Sequence, residues 1–167
     1  MRKGLKIFAF VVFVLAMISP ALSSVQAASS TQTSFSASIL IEGNPTDGSV
    51  WITGQPGILH GRDLVATGTV SGDINGAIVM IENLNLFDYE NGPTNGQMQL
   101  IAEITVASES QVSYLMSGAA KIRDRIISGT FVIRGIGTFK RQIIVGKLYG
   151  ELADGQPVPL IGTRISY

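Results

Sequence analysis

The stretch Ile126–Leu152, I-I-S-G-T-F-V-I-R-G-I-G-T-F-K-R-Q-I-I-V-G-K-L-Y-G-E-L, reads as two long β-strands joined around Lys140-Arg141. Side chains two apart on a strand share a face, so the apolar residues fix which way each strand turns. On one face the hairpin sets Phe131 against Gly150 and Gly135 against Gly146. A bulky ring over a glycine helps pin register, and facing glycines let two strands coil sharply. The other face carries Val132, Ile136, Ile143, Val145 and Tyr149, interrupted by Arg134 and Lys147. An antiparallel sheet normally shows water a polar face. This second apolar face therefore predicts a cover, whether a second sheet, a terminal segment or another subunit, and a homo-oligomer with those five residues at its interface is the expectation.

Working outward, the same alternation organises the rest of the chain. Phe35–Glu42 and Ser49–Thr53 read as strands around turn chemistry at Gly43-Asn44-Pro45-Thr46-Asp47-Gly48, and Gly54–Gly61 reads as a loop holding His60. Next come a strand Leu64–Val70, a turn Asp73-Ile74-Asn75, a strand from Ile78 to Leu86, and a loop Asp88–Gly96. A strand from Met98 to Val106 follows, then a tight Ser108-Glu109-Ser110 turn and a strand from Val112 to Gly118. A turn near Arg123-Asp124 leads into the opening hairpin, and Pro157–Ile165 is the last strand. No stretch sustains a 3.6-residue period, so the class is all-β. Matching apolar faces predicts one cross-strand row, Ala66, Glu82, Ala102, Met116, Phe131 and Gly150, with large and small side chains alternating as a curved sheet needs. Strands near ten residues, eight or nine in number, predict an antiparallel meander closing into a single β-barrel over residues 35–167.

The first residues bear on the compartment. Arg2, Lys3 and Lys6 precede an apolar run Ile7–Ile18, and Val25-Gln26-Ala27 fits the small-x-small cleavage rule. The run is too short to span a bilayer, which takes about 20 residues, so residues 1–27 read as a cleaved signal peptide and the protein as secreted or extracytoplasmic. Residues 28–34 read as a flexible segment or an edge arm. The mature chain then carries nine basic residues against twelve acids, a net charge of −3, which argues against nucleic acid or an anionic membrane as partner. There is no cysteine, which removes disulfides, thiolate metal sites and cysteine nucleophiles. No further apolar run is long enough to predict a transmembrane segment in the mature chain.

Glu82 is the sharpest chemical candidate, an acid on an otherwise apolar face beside Ala66 and Ala102. A carboxyl buried without a cation has a raised pKa and can donate a proton or anchor a ligand. Its alternative is a place near the barrel mouth or a bond to Tyr114. The predicted ligand-binding set is Glu82, Ala66, Ala102, Tyr114, Met116 and Phe131, although the last three read more as core than as a cofactor box. His60 is the single histidine, so no histidine metal cluster and no second imidazole base is expected. Asp88-Tyr89-Glu90-Asn91-Gly92 is oxygen-rich, but it lacks calcium-loop spacing, with Gln99 where the distal glutamate belongs. Lys121, Arg123 and Arg125 read as charges that keep a sheet end soluble. No metal, cofactor or catalytic residue is predicted.

With G-T-V-S-G-D-I-N-G (Gly68–Gly76), S-G-T-F-V-I-R-G-I-G-T-F (Ser128–Phe139) and G-K-L-Y-G-E-L (Gly146–Leu152), the chain resembles the allene-oxide-cyclase/dirigent type of β-barrel over about Leu64–Leu152. The resemblance implies eight long antiparallel strands around an apolar cavity, often in a trimer. Beyond Glu82 as an inward acid it carries no functional residue onto this chain. Two functions follow as expectations: an exported barrel that binds a small apolar ligand without catalysis, or a structural or adhesive surface protein assembling through its outer face. A cyclase-like enzyme is the third.

Overall fold

The computed structural model describes residues 29–54, 57–87, 95–151 and 155–167. Eight strands follow one another: β1 (Thr31–Thr53), β2 (Ile58–Gly72), β3 (Gly76–Phe87), β4 (Asn95–Val106), β5 (Tyr114–Arg123), β6 (Ile126–Gly135), β7 (Gln142–Glu151) and β8 (Val158–Ser166). Each pairs antiparallel with its sequence neighbour, and β1 pairs with β8 to close a barrel. A single 3-10 turn, Gly137–Phe139, lies in the β6–β7 connection. The predicted signal peptide, residues 1–27, and the core of the acidic loop, residues 88–94, fall outside the described residues.

The closure is strongly staggered. The cross-strand path from Ala37 runs through Leu160, Leu148, Gly129, Ala120, Met98, Leu84 and Gly61, and returns to β1 at Val50. Strands must tilt for a path to come back so far along its own strand, and tilt is what closes a small sheet around a filled interior.

Where the residues predict two N-terminal strands, the chain forms one. β1 runs straight through Gly43–Gly48, with irregular pairing between Glu42 and Ser49. Gly48, at φ 107°, takes the left-handed conformation that the irregularity needs, and a Cβ there would meet the Arg62 and Asp63 carbonyls. The turn-forming residues thus make a bulge, not a reversal, because β2 continues alongside them. The count is eight for this reason. The predicted N-terminal arm joins the barrel as well, since Thr31–Ser34 pairs with Thr163–Ser166 of β8. His60 likewise lies in β2, opposite Trp51, and not in a loop.

Register departs from the expected one by even steps. β4–β5 pairs as read, with Ile104 opposite Tyr114, Ala102 opposite Met116 and Leu100 opposite Gly118. β2–β3, β3–β4 and β5–β6 each slide by two residues, and β6–β7 slides by four, so Phe131 faces Gly146 and Gly150 faces Ile127. Even slides keep every inward side chain inward, so alternation alone cannot detect them; turn geometry decides. At the β2–β3 turn the Asn75 side chain accepts from the Gly72 N–H and donates to its carbonyl, tightening the reversal until Val70 meets Gly76. The predicted row therefore splits in two. Ala66, Met80, Ala102, Met116, Ile133 and Ile144 form one row, and Leu64, Glu82, Leu100, Gly118, Phe131, Gly146, Gly162 and Phe35 form the next.

The second row shows how the barrel is filled. Phe131 and Phe35 meet edge to face, centroids 6.2 Å apart, in space that the glycines leave open. A Cβ on Gly146 would fall 2.7 Å from the Phe131 ring tip and against the Ile161 carbonyl. The glycine opposite a bulky ring is thus real, at Gly146 instead of Gly150. Gly135 packs instead under the Phe139 backbone, and faces Tyr114, not Gly146.

Candidate functional site

The barrel has one packed end and one open end. At the packed end Phe35, Ile78, Ile104, Ile133 and Ile144 are fully buried, and Ile74 of the β2–β3 turn is buried with them. Asp73 of that turn is tied to Ser36, donating its N–H to the Ser36 carbonyl and accepting the Ser36 N–H on Oδ2. Phe139 lies on Tyr114 with centroids 4.8 Å apart, and the Tyr114 hydroxyl donates to Gln142. Arg164 sets its guanidinium over the Phe35 ring at 5.6 Å and donates from Nη2 to the Asp73 carbonyl. Burial pushes the Tyr114 hydroxyl up, and the Arg164 charge partly offsets that by favouring phenolate.

At the other end lies a cavity of about 640 Å³. Its wall is mostly apolar, with Ile39, Ile41, Ala66, Met80, Leu100, Leu148 and Leu160 among its residues, and Asn44, Glu151 and Gln156 add polar groups. Glu82 projects into it from β3, partly buried and five residues short of the strand end at Phe87. Its cross-strand neighbours are Leu64 and Leu100, neither of which offers a hydrogen bond from its side chain. Desolvation is the cause that holds its carboxyl above the ordinary range.

Of the residues predicted from sequence to meet a ligand, Glu82 and Ala66 line this cavity. Ala102, Met116 and Phe131 are buried in the packing behind it, and Tyr114 sits at the opposite end bonded to Gln142, not to Glu82. The slide in register separates them: Met80, not Glu82, stands between Ala66 and Ala102. Sequence reading missed Arg164, whose inward direction follows from its pairing with Ile144. The signal was available, since β8 alternates Val158, Leu160, Gly162 and Arg164 on one face.

The outer wall carries two further features. Ile81, Ile101, Ser117, Val132 and Val145 form a continuous outward row over β3–β7, with Ile101 62% exposed. Ile136, Ile143 and Tyr149 also face outward, Tyr149 at 64% exposed. Toward the open end the wall turns polar, where Arg62, Asn83, Asn85, Gln97 and Lys121 border a shallow groove. His60 is committed within this region. Its ring stacks on Trp51 at 5.2 Å, Nδ1 donates to Asn85 Oδ1 at 2.8 Å, and Nε2 lies 2.8 Å from the Thr53 hydroxyl. Among the described residues no group of three or more His, Cys, Asp or Glu could hold a metal ion, and no helix is long and apolar enough to cross a membrane.

No family model, no curated protein and no solved structure matches the chain.

Proposed function

We propose that the protein is an exported, non-catalytic binding protein that takes a small apolar ligand into the open end of its barrel. The observation that carries this reading is the cavity: about 640 Å³, walled mostly by aliphatic side chains, with the Glu82 carboxylate projecting into it. Pockets of this size and lining, with a few polar groups to orient the occupant, are the usual form of a small-molecule site. The absence of a nucleophile–base pair in its lining favours binding over reaction, for Glu82 and Glu151 are the ionisable residues that line it among the described residues. The basic, apolar and small-residue order of the first 27 residues supports export.

The outward row Ile81, Ile101, Val132 and Val145 favours a second reading, assembly with copies through the barrel wall, either alongside ligand binding or as the principal role. Native mass spectrometry of the protein beginning at Ala28, combined with organic extraction of what co-purifies, separates the two. A small apolar molecule released at a fixed ratio to protein is the expected result. A fixed or open-ended oligomer that releases nothing, and that takes up no apolar fluorescent probe, would leave assembly as the function.

A further inference from the structure

Granting that the cavity is a ligand site, its charges restrict what it takes. Glu82 faces Leu64 from β2 and Leu100 from β4, and the one other ionisable residue lining the cavity is Glu151 of β7; Asn44 and Gln156 are neutral. No Lys, Arg or His lines it among the described residues. Residues 88–94 and 152–154 contain no Lys, Arg or His. Arg123, the last residue of β5, and Arg125 of the β5–β6 turn lie at this end but are exposed and outside the lining. The inward arginine, Arg164, is at the far end and engaged with Phe35 and Asp73.

An apolar cavity that removes water from a carboxylate and supplies no cation leaves the charge uncompensated, which is costly until something pairs with it. A fatty acid or other anionic amphiphile would bring a second negative charge to Glu82 and Glu151. We propose that the ligand is a cationic amphiphile, an apolar body ending in an amine whose ammonium group pairs with the Glu82 carboxylate inside the barrel. The apolar body replaces water along Ile39, Met80, Leu148 and Leu160, and the ammonium supplies the cation that the wall lacks. Pairing favours ionised Glu82, so binding is coupled to release of whatever proton that carboxyl holds in the empty cavity.

Three probes of one shape isolate the head group: decylamine, decanol and decanoate, each below its aggregation limit, displacing a neutral fluorescent probe from the protein beginning at Ala28. The amine is expected to bind at least about tenfold tighter than the alcohol, as a charge-assisted hydrogen bond would give, with decanoate weakest. In Glu82→Gln the amine's advantage over the alcohol disappears while the alcohol's own affinity holds. Should that variant fail to fold, pH serves instead: the amine's affinity in the unaltered protein rises with pH through the Glu82 titration, and the alcohol's does not. Alcohol or decanoate binding as tightly as the amine would overturn the head-group inference and leave the cavity reading intact. Failure of all three, and of the neutral probe, would instead remove the cavity reading itself.

Discussion

The two ends of this barrel are built from the same strands and do opposite things with their interior. At the packed end, where β1 begins and the β2–β3 and β6–β7 turns lie, buried rings and branched aliphatics pack against glycines. At the open end the same inward faces carry Ala66, Met80 and Glu82, and a cavity opens between them. Each end holds an inward charged residue. Arg164 has a ring beneath it and a carbonyl in front of it, whereas Glu82 has leucines on both sides. The difference teaches that the fold is stabilised at one end, which frees the other to be hollow. A ligand site in a small barrel needs both.

The contrast can be broken most severely at Phe131. Truncation to alanine is expected to cost about 3–5 kcal/mol, the range for a large buried ring that leaves a hole, read as a lower denaturant midpoint. Ile41→Ala, in the cavity wall, enlarges space that already exists and should cost much less. Equal losses at the two sites would mean that the open end is as tightly packed as the other. Gly146→Ala tests the same packing from the opposite direction. Its methyl would press on the Phe131 ring and the Ile161 carbonyl, and overpacking of this kind costs about 1–3 kcal/mol. Pairing it with Phe131→Leu should recover part of the loss, since the ring tip is one of the two obstructions.

How much of this was legible in the residues follows from what a two-residue period can and cannot encode. It sorts inward from outward, so the all-β class, the barrel and the direction of Phe131, Glu82 and Val132 could be read directly. It is blind to slides by two or four, so it placed Glu82 between Ala66 and Ala102 and gave Phe131 the wrong glycine. Those errors gathered Tyr114, Met116 and Phe131 around Glu82, whereas the structure keeps them in the packed part. The missing information sits in turns: the side chain of Asn75 folding back on Gly72, or the 3-10 turn that lengthens the β6–β7 connection. The bulge at Gly43–Gly48 was misread because glycine, asparagine and proline serve bulges and reversals alike. Only the neighbouring strand distinguishes them.

The electrostatic half of the contrast appears in pH dependence. Glu82 is held above the ordinary carboxylate range in the folded state by burial, so the folded chain binds its proton more tightly than the unfolded chain does. Its contribution is therefore fully present below the ordinary carboxylate value and is lost as pH rises toward its own raised value. Each unit by which the value is raised corresponds to about 1.4 kcal/mol. Glu82→Gln removes that slope, so the stability difference between variant and parent should grow in the variant's favour across the window and level off above it. Chemical denaturation at a series of pH values measures it, and a flat difference would show that the carboxyl is not desolvated in the empty barrel.

Arg164 should give the smallest change in stability and the sharper change in titration. Its guanidinium is partly satisfied, with Nη2 on the Asp73 carbonyl, while Nε is buried without a partner among the described residues. Arg164→Met keeps the stem's packing, forfeits one hydrogen bond and relieves one orphaned donor. These effects oppose each other and are each of order 1–3 kcal/mol, so the net shift should fall within about 1 kcal/mol of zero. The Tyr114 hydroxyl reports the lost charge separately. Arg164 offsets part of the upward push of burial, so without it the phenol should ionise at still higher pH. Ultraviolet titration against a Tyr114→Phe control assigns the change to that ring. An unmoved titration would mean that the Arg164 charge is screened from Tyr114, and that the packed end owes its closure to shape alone.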